Sequence, residues 1–216
     1  MKTIKIIDSL HLTDEGVRAK TKNGKFQIVH LRQGDLDGAC AIYSTVMALI
    51  ILGVLKYRDV SIGAVTKDKR TMVERLKKRL FEEQGLHRDG HEFDEIKEIL
   101  QHSYSGFVSV DDPIEGPDKK IIEEINNQIL ADKPVIVSYE FPGGAHALVA
   151  IGLEFDEGQV KKILCLDPGF PSPKFTYWNS IIDLEPQKGK YKYRNIAETG
   201  EPTHIKLGNI LVLSKK

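Results

Sequence analysis

Cysteine is scarce in this chain: Cys40 and Cys165 are the only two in 216 residues. Two thiols cannot build the disulfide framework of a secreted scaffold. Charge of one sign is missing too, since 31 Lys and Arg balance 31 Asp and Glu. A chain with no net charge has no general electrostatic grip on nucleic acid or on an anionic membrane. The longest apolar run, Val46 to Leu55, is too short to span a bilayer. Asp8 interrupts the opening segment before a signal-peptide core develops, so the expected location is cytoplasmic, with leaderless secretion leaving no trace. Repeats and low-complexity tracts are absent.

What remains is an ordinary globular composition, 41% hydrophobic and 29% charged. A chain of this length buries roughly 70% of its unfolded surface. Without a linker, residues 1–216 read as one domain. Residues 3–7 and 25–31 read as short strands. A polar loop around Gly34 and Gly38 then delivers the chain into residues 40–56, a helix apolar nearly all round and therefore central. Amphipathic helices are expected over 68–84, 91–102 and 118–131. Strands are expected over 135–140, 146–155, 161–167, 191–194 and 204–214. Helices precede antiparallel strands, which predicts an α+β fold.

Four residues carry the possible chemistry. Cys40 falls in the first turn of the central helix, where the dipole lowers a thiol pKa. Taken alone it is also a small buried hydrophobe. His146 opens the apolar strand H-A-L-V-A-I-G after Pro142-Gly143-Gly144. A general base needs such a rigid mount at a cleft edge, and a strand-capping histidine is the plain alternative. Asp167 ends the strand K-K-I-L-C-L-D. A hairpin turning at 156–157 would set it opposite His146, where a carboxylate fixes the imidazole tautomer. Otherwise it is a turn-forming Asp-Pro-Gly. Gln33 lies seven residues before Cys40, where its amide and the Cys40 N–H could form an oxyanion hole. Alone it is a polar loop residue.

The order Gln33, Cys40, His146, Asp167 resembles the papain-like cysteine peptidase superfamily. The local text Q-G-D-L-D-G-A-C-A-I-Y-S-T-V-M-A-L-I-I-L-G, with the later H-A-L-V-A-I-G and L-C-L-D-P-G, is most similar to its bacterial C39-like branch. The likeness covers roughly 28–56 and 134–182. It implies a helical N-terminal half packed on a C-terminal antiparallel sheet, with the active site in the cleft between. It implies Cys40 as nucleophile, His146 as base and acid, Asp167 as orienting carboxylate and Gln33 as oxyanion donor. The implied reaction is hydrolysis of a peptide or isopeptide bond through a thioester, on a peptide or protein substrate and without cofactor or metal. Ala41 stands where many relatives carry an aromatic residue or Gly. Residues 57–130, a helical insertion in this reading, match nothing in the family and could meet a protein partner. The alternatives are a silent scaffold on the same fold and an acyl transferase using the same triad.

Other signals are weaker. His87 and His91 have a metal-ligand spacing, but Asp89 and Gly90 argue for a loop between them. Asp35 to Gly38 fails as a calcium loop, because Gln33 and Ser44 fall where Asp and Glu are needed. Cys165 and Trp178 read as core residues, although Trp178 could instead wall Asp167 from water. The basic stretch from Lys67 to Arg79 reads as a solvated helix face.

Overall fold

The computed structural model describes residues 1–21, 23–34, 38–61, 68, 70–82, 90–197 and 200–216. His87, Lys67 and the Asp35–Asp37 part of the polar loop fall outside these. The chain is a mixed helix-and-sheet protein built on a large antiparallel sheet.

The helix α1 (Cys40–Ile51) is the axis of the core. Ten of its twelve residues are buried, from Ala41 and Ile42 to Ile51. Its two hydroxyls are satisfied inside: Thr45 donates to the Ala41 carbonyl at 2.7 Å and Ser44 to the Ala147 carbonyl at 3.1 Å. The helix stops at Ile51 because Gly53 takes a left-handed φ of 68°. The Val54 N–H then reaches the Leu49 carbonyl and the Gly53 N–H that of Ile50, closing the last turn. Three further helices lie outside it. They are α2 (Tyr57–Val60), α3 (Met72–Lys77) and α4 (Phe93–Tyr104). After the strand β5 (Val108–Val110), α5 (Asp118–Leu130) buries Ile121, Ile125 and Ile129 on one face.

The expected helix over 68–84 begins later and changes pitch within the described residues. Thr71 caps it by accepting from the Glu74 N–H at 3.3 Å, so the first helical residue is Met72. At Lys78–Glu82 the turn widens to a π-helix, with Leu76 and Leu80 both buried.

Six strands form the main body: β6 (Val135–Phe141), β7 (Gly144–Asp156), β8 (Gln159–Leu166), β9 (Ser180–Asp183), β10 (Tyr193–Ala197) and β11 (Thr203–Lys215). Each pairs antiparallel with the next, and β11 returns to β6. The ring of pairings is closed. The N-terminal strand β1 (Lys2–Ile6) continues the β6 edge of β7, pairing Ile6 with Gly152 and Lys2 with Asp156. A Cβ at Gly152 would stand 2.5 Å from the Lys5 carbonyl oxygen, so only glycine admits this approach. A second small sheet joins β2 (Leu10–Thr13), β3 (Gly16–Lys20) and β4 (Phe26–Ile28).

Two expectations need correction here. The N-terminal half is not simply helical, because its first 28 residues supply four strands, one of them in the main sheet. The hairpin also turns one residue later than expected. Glu157 and Gly158 have φ of 51° and 77°, as a two-residue primed turn requires, and Asp156 faces Gln159. The register therefore pairs Val149 with Leu166 and does not set residue 146 opposite 167.

Candidate active site

The late turn leaves His146 and Asp167 on the same face as diagonal neighbours, and diagonal positions lie within side-chain reach. His146 Nε2 meets Asp167 Oδ1 at 2.7 Å. The carboxylate is fully buried and the imidazole mostly so. A second bond fixes the same oxygen, from the Gly169 N–H at 2.8 Å. With Nε2 engaged, Nδ1 is the ring nitrogen left to face Cys40, and the imidazole acts on that thiol to lower its pKa. Tyr139, the register partner of His146 on β6, backs the ring with centroids 5.6 Å apart.

Cys40 is the first residue of α1, and the residue before it, Ala39, has no side chain that can cap. The first N–H groups of a helix have no carbonyl partner within it and can turn to other acceptors, as the Ala41 N–H does toward the Cys40 thiol. Burial pushes the thiol up, but the His146 hydrogen bond and charge outweigh it, helped by the Ala147 and Ala41 N–H groups, and the net shift is downward. Burial also opposes charge on His146. Its bonds to Asp167 and Cys40 prevail and raise it to about 10. The arrangement favours a thiolate beside an imidazolium, with the carboxylate behind. Ser44, one turn along α1, donates to Ala147 and so locks the helix against the residue after His146.

Cys165 provides a contrast on the neighbouring strand. It is fully buried, and burial pushes its thiol well up, with the charge of Asp167 adding to this. It is a core thiol. Trp178 is half-buried against the core.

Cys40 and His146 open onto a cleft of about 660 Å³. Its walls include Ser138 and Tyr139 of β6, Gly208 and Asn209 of β11, and residues 90–93 at the start of α4. A bulge in β11 shapes one wall: the pairing with β6 breaks between Leu207 and Ile210. Gly208 permits it, because a Cβ there would stand 2.3 Å from Ser138 Oγ.

Gln33 joins this constellation through its backbone. Its N–H donates to the Pro168 carbonyl at 2.9 Å, which ties the approach to α1 to the turn after Asp167. Its side-chain oxygen is buried with no partner among the described residues. A hydrogen bond thus links His146 to Asp167, Cys40 interacts with the same imidazole, and Gln33 is fastened to the same turn.

Two residues absent from the sequence reading also belong here. His30, in the apolar text Ile28-Val29-His30-Leu31, is buried and bonds the Asp167 carbonyl through Nε2 at 2.9 Å. Asn179 accepts from the Asp167 N–H at 2.7 Å and donates to the Asp167 carbonyl at 2.9 Å. A polar residue inside an apolar run was the only local signal for His30. Asn179 had none.

Among the described residues no group of three His, Cys, Asp or Glu is placed to hold a metal ion. No described helix is long and apolar enough to cross a membrane. The chain matches no family model and no curated protein.

Proposed function

We propose that the chain is a papain-like thiol hydrolase that cleaves a peptide or isopeptide bond through Cys40, His146 and Asp167. The observation that carries this is the His146–Asp167 bond with the Cys40 thiol beside the same imidazole, set at a helix N-terminus on a cleft. A structural histidine needs a partner for its ring, but it does not need a thiol on the first turn of a helix. The cleft volume of about 660 Å³ is that of a ligand site.

The steps follow from the placement. Cys40 Sγ, as thiolate, attacks the carbonyl carbon and forms a tetrahedral oxyanion. The Cys40 N–H, unpaired within the helix, and the Gln33 amide are the proposed donors to that oxygen. The C–N bond breaks as the His146 Nδ1 proton passes to the leaving amine, and a thioester remains on Sγ. His146, now neutral, takes a proton from water, which attacks the thioester. The acid leaves, the thiolate reforms and the imidazole is again protonated. Asp167 holds Nε2–H throughout and sets the tautomer.

The test is the rate of Cys40 alkylation by iodoacetamide against pH, in the wild type and in His146→Ala. The expected result is fast alkylation well below the ordinary thiol pKa of about 8.5, lost when His146 is removed. An ordinary thiol titration, indifferent to His146, would sink the proposal.

A further inference from the structure

Asp167 is held from two directions. Its carboxylate faces His146. Its peptide group faces a buried pair, His30 and Asn179, that takes no part in the steps above. Asn179 grips that peptide at both ends, accepting from the Asp167 N–H and donating to the Asp167 carbonyl. Its other amide proton goes to the Pro171 carbonyl at 2.9 Å. Both Nδ2 protons are then used, so the 3.2 Å contact between Asn179 Nδ2 and His30 Nε2 is not a hydrogen bond from the amide. His30 Nε2 must itself carry the proton that reaches the Asp167 carbonyl. This fixes His30 as the Nε2–H tautomer.

His30 also lies three residues before Gln33, whose N–H bonds the next carbonyl, Pro168. Residues 30–33 therefore run along residues 167–168 with a bond at each end. The segment that leads to Cys40 and the turn that carries Asp167 are clasped together. A carboxylate fixed only through its side chain could swing with its turn. Here the turn itself is anchored, and one carboxylate oxygen, Oδ2, is buried with no partner among the described residues. The aim of Oδ1 at His146 thus rests on few bonds.

We propose that His30 and Asn179 are positioning residues, which hold the Asp167 peptide so that its carboxylate stays on His146 and the thiolate–imidazolium pair persists. This rests on the hydrolase reading of the site. His30 acts as a neutral donor. Burial holds its imidazole below the ordinary value, and the charge on Arg32 acts in the same direction. The bond to the Asp167 carbonyl and the charge of Asp167 oppose them.

The experiment compares iodoacetamide alkylation of Cys40 against pH in the wild type, His30→Leu, His30→Gln and Asn179→Ser, with thermal melts alongside. His30→Leu leaves the Asp167 carbonyl still bonded by Asn179, so it creates no orphaned acceptor. The expected result is an acid limb displaced to higher pH in His30→Leu and Asn179→Ser, with alkylation near pH 6 slower by about tenfold. Gln can present an amide donor near the position of Nε2, so His30→Gln restores most of the rate. A folded His30→Leu or Asn179→Ser whose profile overlays the wild type overturns the proposal. The tautomer gives a check that needs no variant. Nitrogen-15 spectra of the wild type at neutral pH should show His30 as neutral Nε2–H, and an Nδ1–H or charged ring there overturns the proposal. A wild type with an ordinary thiol titration overturns the hydrolase reading and this one together. An activated wild type with unmoved variants overturns only this one.

Discussion

Two histidines meet Asp167 from opposite sides, and the same residue type has opposite properties in the two places. Both are largely buried, and burial alone would keep both neutral. His146 meets the carboxylate and the Cys40 thiol, and its pKa rises to about 10. His30 meets the carbonyl of the same residue and stays below the ordinary value. The lesson is that depth does not decide charge; the atom at the other end of the bond does. A carboxylate repays the desolvation of an imidazolium, whereas a peptide carbonyl asks only for a neutral N–H. The reactive side and the supporting side of one aspartate are separated by that choice alone.

The most severe way to break the contrast is to remove the reactive side. Cys40→Ala and His146→Ala should each lower hydrolysis of a responsive peptide substrate by roughly 10⁴-fold or more, read from initial rates. Asp167→Asn should come next, at roughly 10² to 10⁴-fold. It also converts His146 toward the His30 condition. The raised His146 pKa means that its bond to Asp167 stabilises the fold fully below the unfolded value of about 6.5 and loses this as pH climbs through about 10. Without the carboxylate, the alkaline limb of the alkylation profile should move to lower pH. A limb that stays in place would show that Asp167 does not set the charge. Gln33→Ala leaves both histidines in position and should lower kcat by roughly 10²-fold through the oxyanion, with little change in the alkylation profile. Gly152→Ala should cost about 1 to 3 kcal/mol in a denaturant melt through the clash with β1. It should leave the Cys40 profile unchanged while the protein stays folded, because it strains the barrel away from both histidines.

The sequence revealed what depends on local pattern. The all-apolar text of α1, the i, i+4 isoleucines of α5 and the continuous runs of β6 to β8 each declare their element within a few residues. The hairpin made His146 and Asp167 neighbours on paper, although the register was two residues out. Continuing the Val149–Leu166 register one step would set position 167 against 148, and the pair works because a shift of two keeps a side chain on its face. The closure of the ring was not legible, because pairing β11 with β6 and β10 joins segments that share no pattern. The strands β2 and β3 were missed because L-H-L-T and G-V-R-A-K are short and carry polar residues among few apolar ones. His30 and Asn179 were missed for a related reason. Their partner is a main-chain group, which leaves no mark in the identity of the residue it belongs to.

The closed ring has a consequence for the life of the chain before it is folded. The strand β1 has to wait for β7, about 150 positions later, and the ring cannot close until β11, residues 203–215, has been made. Contacts this distant in sequence form slowly. Cys40 leaves the ribosome long before His146, Asp167 and the strands that frame them. During that interval it is an ordinary thiol, with neither an imidazole nor a cleft. Under the proposed hydrolase reading the reactivity arrives last, so the order of synthesis itself would keep the nascent chain from acting on its neighbours.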